Sequence, residues 1–252
     1  MNFAIVTAHN EQFQPLADIT WNQNKKLYCE KWGYDALAMT EGFQHPVQYI
    51  SFERSNYIAD LLESGKYDWI HAVGCDTMIT NFDIRLEDLV DDDYDFVIAV
   101  DCYNINNDYT MITNFDIRLE DLVDDDYDFV IAVDCYNINN DSFLARATPN
   151  TIAWLRNTVS LREAYSGAKW LDQSAMIDTI DMMGDRIKIV PQRVMNSYDY
   201  DQYPGLVPHI YKKDLLGNDG QWQPGDFLIH WPAVALDKRI VLAQNMLEQV
   251  IK

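Results

Sequence analysis

The chain has 252 residues, 48% of them hydrophobic, and a formal net charge of -21. That length suits one α/β domain with a substantial core. So acidic a chain argues against binding nucleic acid through a basic phosphate-neutralising face, and against docking on anionic lipid.

Residues 3–7 (FAIVT) form a short apolar run of the kind that makes a buried strand. Residues 15–31 have helical character, with Gly33 as a stop signal, and 57–62 fit a second helix ended by Ser64-Gly65. Residues 67–73 (YDWIHAV) read as a strand leading into Gly74-Cys75-Asp76. Beyond them come, twice over, an amphipathic segment (IRLEDLV), an acidic turn (DDDYD) and a buried-strand run (FVIAV), at 96–100 and 129–133. Residues 142–147 (SFLARA) suggest a strand, followed by Pro149 and a helix over 150–157. A helix is expected over 172–183, a strand over 187–190 and a loop rich in Asp, Tyr, Gly and Pro over 198–220. A late strand at 227–231 and an amphipathic helix at 238–251 close the chain. Strands alternating with helices imply a single α/β domain, with a mixed, mostly parallel central sheet flanked by helices. The start, MNFAIVTAHN, lacks the basic and long apolar regions of a signal peptide. No run nears the ~18 apolar residues of a membrane span. The expectation is a soluble, cytoplasmic protein of bacterial, phage or viral origin.

The doubling is literal. Residues 77–108 recur letter for letter as 110–141, with Tyr109 between the copies. Even the solvent-type residues are unchanged, and two copies are too few for a solenoid, so this is no fold-defining repeat. It reads as a recent duplication or an assembly artefact: about 33 surplus residues within 77–141 of a domain spanning 1–252. One copy carries nine acids and one base, so the chain without it would stand near -13, still acidic. Cys102 and Cys135 are one residue counted twice. With Cys29 and Cys75 they form neither a disulfide framework nor a CxxC zinc pattern.

The segment YDWIHAVGCDTMITN carries the most local information. A strand that ends in a small residue and then a carboxylate puts Asp76 at the carboxyl edge of the sheet, where open α/β sheets bind ligands. A hard oxygen there suits Mg²⁺ or Mn²⁺ beside a diphosphate, and equally suits an Asp that caps the next turn.

The segment resembles the Asp-x-Asp strand of nucleotide-sugar glycosyltransferases with the GT-A fold. More narrowly, it is similar to the family of fungal galactosyl- and mannosyltransferases and plant xyloglucan xylosyltransferases. Further likenesses follow in the family's order. Asn24-Lys25-Lys26-Leu27-Tyr28 with Trp32-Gly33-Tyr34 resembles N-K/R-x-x-Y-x-x-x-H-G-Y, with Trp in place of His. Asn140 to Arg146 resembles N-x-G-x-x-x-x-R, with shortened spacing and Ser for Gly. Trp170-Leu171-Asp172-Gln173 matches W-x-D-Q. Pro191-Gln192-Arg193 with Asn196-Ser197-Tyr198 resembles P-Q-x-x-x-N-x-Y, and Gly225 to His230 matches G-D-F/L-x-x-H.

The resemblance implies transfer of a hexose or pentose from a nucleotide sugar, expected to be a UDP-sugar, to a glycan or other hydroxyl acceptor. It implies Asp76 and His230 as ligands of Mn²⁺ or Mg²⁺, which as a Lewis acid would neutralise the departing diphosphate. Thr7 and Ala8 would contact the nucleotide, and Lys238 or Arg239 would add a cation near the phosphates. Arg54, Asn196 and Tyr198 complete the expected donor site. Asp172 and Gln173 would orient hydroxyls of the transferred sugar or acceptor as the catalytic pair. Blander roles are a strand histidine for His230, a helix N-cap for Asp172 and loop ordering for Asn196 and Tyr198. One departure stands out: Gly74 occupies the place of the first Asp in Asp-x-Asp, so a weakened metal site is expected. That motivates an alternative, a catalytically degenerate sugar or nucleotide-sugar binding protein on the same scaffold. A third reading, an acidic interaction module, would have no nucleotide affinity. No GxSxG, P-loop or GxGxxG supports hydrolase, NTPase or Rossmann chemistry.

Overall fold

The structure, a computed structural model, describes residues 1–43, 49–90, 96–101, 129–133, 137–204 and 212–250, and of 96–101 and 129–133 the backbone alone. The apolar runs become the core strands: β1 (Phe3–Ala8), β2 (Asp35–Met39), β3 (Trp69–Val73), β5 (Phe96–Asp101), β6 (Phe129–Val133), β7 (Asn137–Arg146) and β8 (Ile187–Pro191). They form one sheet in the order β2-β1-β3-β7-β5-β6-β8. All run parallel except β7, which is antiparallel to β3 and to β5. The expected single α/β domain with a mixed, mostly parallel sheet is what the chain forms. A second, three-stranded sheet joins β4 (Thr77–Ile79), β10 (Leu228–His230) and β9 (Ser197–Tyr198), with β10 in the middle.

Helices flank the large sheet. α1 (Gln14–Thr20) and α2 (Lys26–Trp32) are joined by a π-helical turn at Trp21–Lys25, so the helix expected over 15–31 is broken by a bulge of wider hydrogen bonding. It does stop at Gly33, whose φ of 76° lets its N–H close on the Cys29 carbonyl at 2.8 Å. α3 (Ile50–Glu63) is longer than the expected 57–62, because Phe52, Glu53, Arg54 and Ser55 are all buried and extend the packed face. α4 (Pro149–Ser160) starts as its sequence dictates: the Thr148 hydroxyl accepts from the Thr151 N–H, with Pro149 in the first turn. The helix expected over 172–183 ends early, as α5 (Leu171–Asp178), and tighter turns follow at Ile180–Arg186. α6 (Gln192–Met195) is a single turn, and α7 (Leu236–Val250) closes the described chain. No described helix is long and apolar enough to cross a membrane.

β2 and β4 were not expected from the sequence. β7 also begins five residues before the expected 142, so the polar run Asn137–Asp141 lies in the sheet. The repeat meets the sheet in a particular way. Ile98 and Ile131, equivalent residues of the two copies, both pair with Ile189, and Val100 and Val133 both pair with Ile138. Two identical strands thus share one pair of partners between β7 and β8. The first IRLEDLV holds only a 3₁₀ turn at Leu86–Asp88. The second copy of that segment, both acidic turns, Cys102 and Cys135 lie outside the described residues.

Topology sets where chemistry can occur. β1 and β3 end at Ala8 and Val73, on one edge of the sheet. Because β7 runs the other way, its first residues reach that same edge: Val73 pairs with Ser142, and the Gly74 N–H donates to the Asp141 carbonyl at 2.8 Å. The small sheet brings β10 alongside, where the Trp231 N–H donates to the Asp76 carbonyl at 3.3 Å.

Candidate functional site

Three side chains converge at this edge. One ligand atom from each of Asp76, Asp141 and His230 lies within 4.8 Å of the others. The His230 ring is fully buried between two fixed neighbours. Its Nδ1 is 2.9 Å from Asn196 Oδ1, and the Tyr198 ring meets it edge-on at 5.1 Å. Nε2 points at both carboxylates, 3.6 Å from Asp76 and 3.7 Å from Asp141, too far for hydrogen bonds to either, and has no other partner. A buried ring nitrogen left unsatisfied amid two carboxylates is the arrangement a metal ion completes. Oxygen donors with one imidazole suit Mn²⁺ or Mg²⁺.

Cations surround the cluster. Arg239, in the first turn of α7, pairs with Asp76 at 2.9 Å. Arg54 reaches Asp141 at 3.4 Å and donates to the Asn140 carbonyl at 2.7 Å. Burial opposes charge on Asp76, but Arg239 and His230 beside it hold its carboxyl well below the usual range. Beneath it the fully buried Lys25 of the π-turn donates to the Thr77 carbonyl. Burial pulls its amine down to about 8.

Beside the cluster opens a cleft of about 320 Å³, lined among others by Ala8, Arg54, Gly74, Asp141, Asp172 and Gln173. Asp172 lies within α5 and is not its N-cap; its carboxylate accepts from Asn140 Nδ2 at 2.7 Å. Burial raises its pKa, offset in part by Arg54. Leu171, just before it, has φ of 46°, a left-handed conformation that costs on the order of 1 kcal/mol or more in a residue with a side chain. Leu171 itself lines the cleft, so that strain sits on its wall.

Of the residues singled out in the sequence, Asp76, His230 and Arg239 come together, with Ala8, Arg54, Asp172 and Gln173 around the adjoining cleft. Thr7 is buried on β1, its hydroxyl without a hydrogen-bond partner. Lys238 is exposed, so Arg239 is the one of the pair that meets the cluster. Asn196 and Tyr198 are buried behind His230 and orient its ring, and the Tyr198 hydroxyl accepts from Asn139 at 2.6 Å. Asp141 was missed. It ends the second copy of the repeat and lies 65 positions from Asp76, and strand pairing alone brings them together.

The Pro191-Gln192-Arg193 stretch supports this region from behind. Buried Asp214 accepts from the Gln192 N–H at 3.1 Å and the Asn218 N–H at 2.8 Å, and burial raises its pKa to about 6. A carboxyl whose folded pKa lies above its unfolded value binds extra protons in the native state, so its contribution falls as pH rises from about 4 to 6. The stability of wild type relative to Asp214→Asn should therefore drop across that window, by up to about 3 kcal/mol at 1.36 kcal/mol per unit. Urea melts of both proteins between pH 4 and 7 read this directly; a difference that stays flat would refute it.

Comparison with known proteins bears on the family and the fold. The model of the galactosyl transferase GMA12/MNN10 family matches residues 3–235. The chain belongs to that family. No curated protein matches in sequence. Among solved structures, a glycosyltransferase involved in glycosylation of the major capsid of the virus PBCV-1 superposes with a TM-score of 0.66 at 12% identity, covering 97% of this chain and 100% of that one. The glycosyltransferase GlyE of Streptococcus pneumoniae TIGR4 gives 0.52 at 13% identity, covering 98% of this chain and 63% of GlyE. At such identities these likenesses speak to the fold, which this member of the galactosyl transferase family shares.

Proposed function

We propose that this family member is a GT-A-type glycosyltransferase that moves a hexose or pentose from a nucleotide sugar, a UDP-sugar by preference, to a hydroxyl of a glycan acceptor. It acts as one domain over 1–252 that carries about 33 surplus residues. The observation that carries the reading is the convergence of Asp76, Asp141 and the unsatisfied Nε2 of His230 beside the cleft. Mn²⁺ or Mg²⁺ held there would neutralise charge on the departing diphosphate. Asp76 and His230 would supply the ligating atoms, and Asn196 fixes the His230 ring so that Nε2 faces the two carboxylates. Arg239 places a second positive charge beside Asp76, within reach of the diphosphate. Arg54 and the wall formed by Ala8 bound the donor side of the cleft. Asp172 and Gln173, which also line the cleft, orient sugar hydroxyls, and the Asn140 bond keeps the Asp172 carboxylate in position. The family match does not favour a sugar-binding protein without catalysis.

A panel of UDP- and GDP-sugars incubated with Mn²⁺ and assayed for nucleotide release tests the proposal. Release from at least one donor is expected. Donor binding without turnover under any metal would instead support the degenerate reading, and neither binding nor turnover would sink both. Asp172→Asn should lower kcat about a hundredfold with KM for the donor little changed; an unchanged kcat would remove Asp172 from the catalytic pair.

A further inference from the structure

We infer that Asp141 supplies the metal-facing carboxylate that Gly74 lacks, so that the ligand has moved from the turn after β3 to the strand beside it. The inference rests on the metal site proposed above. Gly74 and Asp141 are directly opposite one another. Val73 pairs with Ser142 in the antiparallel β3–β7 ladder, and the Gly74 N–H to Asp141 carbonyl bond continues it by one step. Opposite residues of an antiparallel pair project to the same face, with Cβ atoms about 5 Å apart. A carboxylate on either position can therefore reach the same point in space.

In this chain that point belongs to Asp141. A Cβ built on Gly74 would lie 3.0 Å from Asp141 Oδ1, 3.2 Å from its Cγ and 2.8 Å from Asp76 Oδ1. Those distances are too short for a side chain to be added without displacement, so the Asp141 carboxylate leans into the room that Gly74 leaves. Its two oxygens have different neighbours: Oδ1 faces Arg54 at 3.4 Å and Oδ2 faces His230 Nε2 at 3.7 Å. The Asp141 N–H donates to Asn139 Oδ1 at 2.9 Å, which fixes the backbone that carries it. The buried, unsatisfied Nε2 is the independent sign that a ligand belongs between these groups.

The sequence holds the other half of this exchange. Read from Asn139 instead of Asn140, the pattern N-x-G-x-x-x-x-R keeps its full spacing to Arg146 and puts Asp141 where the pattern has Gly. Across β3 and β7, Gly74 thus stands where its motif has Asp, and the facing Asp141 stands where its motif has Gly. The count of carboxylates is conserved, and the site is not weakened.

Mn²⁺ binding to the full chain, followed by calorimetry and by the electron paramagnetic resonance of free Mn²⁺, tests the exchange. The relevant site is the one lost in His230→Ala. Asp141→Asn and Asp141→Gly should each weaken it about tenfold or more, while Gly74→Asp combined with Asp141→Gly should return the affinity to within about threefold of wild type. Circular dichroism confirms folding of each variant. Wild-type affinity in Asp141→Asn, or a double variant no better than Asp141→Gly, overturns the exchange while leaving the metal site standing. A wild type that binds no Mn²⁺ removes the metal site itself.

Discussion

Asp76→Asn should reduce nucleotide release on the order of a thousandfold, and His230→Ala by a similar factor. Charge stabilisation of a leaving group by one well-placed donor is worth about 10²–10³ in rate, and these two side chains are proposed to hold the group that provides it. Asp76→Asn changes no volume, so the loss would not come from packing. It does leave Arg239 facing a neutral amide. Removing one partner of a largely buried ion pair costs about 3 kcal/mol, and the side chains of Asp76 and Arg239 are only 14% and 12% exposed. The metal-free variant should therefore melt several degrees lower as well. Full activity in both variants would refute their assignment as ligands.

Removing residues 77–109 should raise the melting temperature by a few degrees and leave activity intact. The deletion joins Asp76 to Thr110, and since the copies are identical, the joined chain still reads Asp-Thr-Met-Ile. The strand that pairs with His230 is thus restored from the second copy, and Asp141 keeps its place at the start of β7. What disappears is the second claimant to the slot between β7 and β8, where Ile189 and Ile138 each face both copies. A strand without a slot offers an unpaired edge for association with other chains, and eight net negative charges leave with it, relieving self-repulsion. Loop-closure entropy alone changes slowly with length and contributes no more than about 1 kcal/mol. At about 2–4 °C per kcal/mol for a domain of this size, a few degrees is the expected shift. A full-length chain that melts above the deletion variant would contradict this, and lost activity in a folded deletion variant would mean the surplus copy contributes to the site.

The parts of the fold visible in the sequence are those where burial alone selects the residues. β1 and β3 are apolar runs buried almost throughout, and α7 shows a clear helical stripe. β2 escaped because DALAM contains no β-branched or aromatic residue, and Ala, Leu and Met favour helices. The first half of β7 escaped for a different reason: around Ile138, the residues Asn137, Asn139, Asn140 and Asp141 have low strand propensity, and three of them are there for what their side chains touch, Asn139 on Tyr198, Asn140 on Asp172, Asp141 on the cluster. The same logic hid the length of α3, where buried Arg54 faces Asp141. Asp76, on the turn after β3, and His230, the last residue of β10, were legible through their motifs. Asp141 was not, because its meaning depends on Gly74 being its partner across a ladder. The spacing from Asn139 to Arg146 was the one signal that could have exposed it.

Nucleotide release from the donor panel, followed as Mn²⁺ is added to metal-stripped protein and then chelated, tests the central claim most directly. Release should appear with Mn²⁺ for at least one sugar donor, vanish on chelation, return on re-addition, and stay absent in Asp76→Asn. Equal release before and after stripping, or in Asp76→Asn, would contradict a transferase whose leaving diphosphate is neutralised at the Asp76–Asp141–His230 cluster.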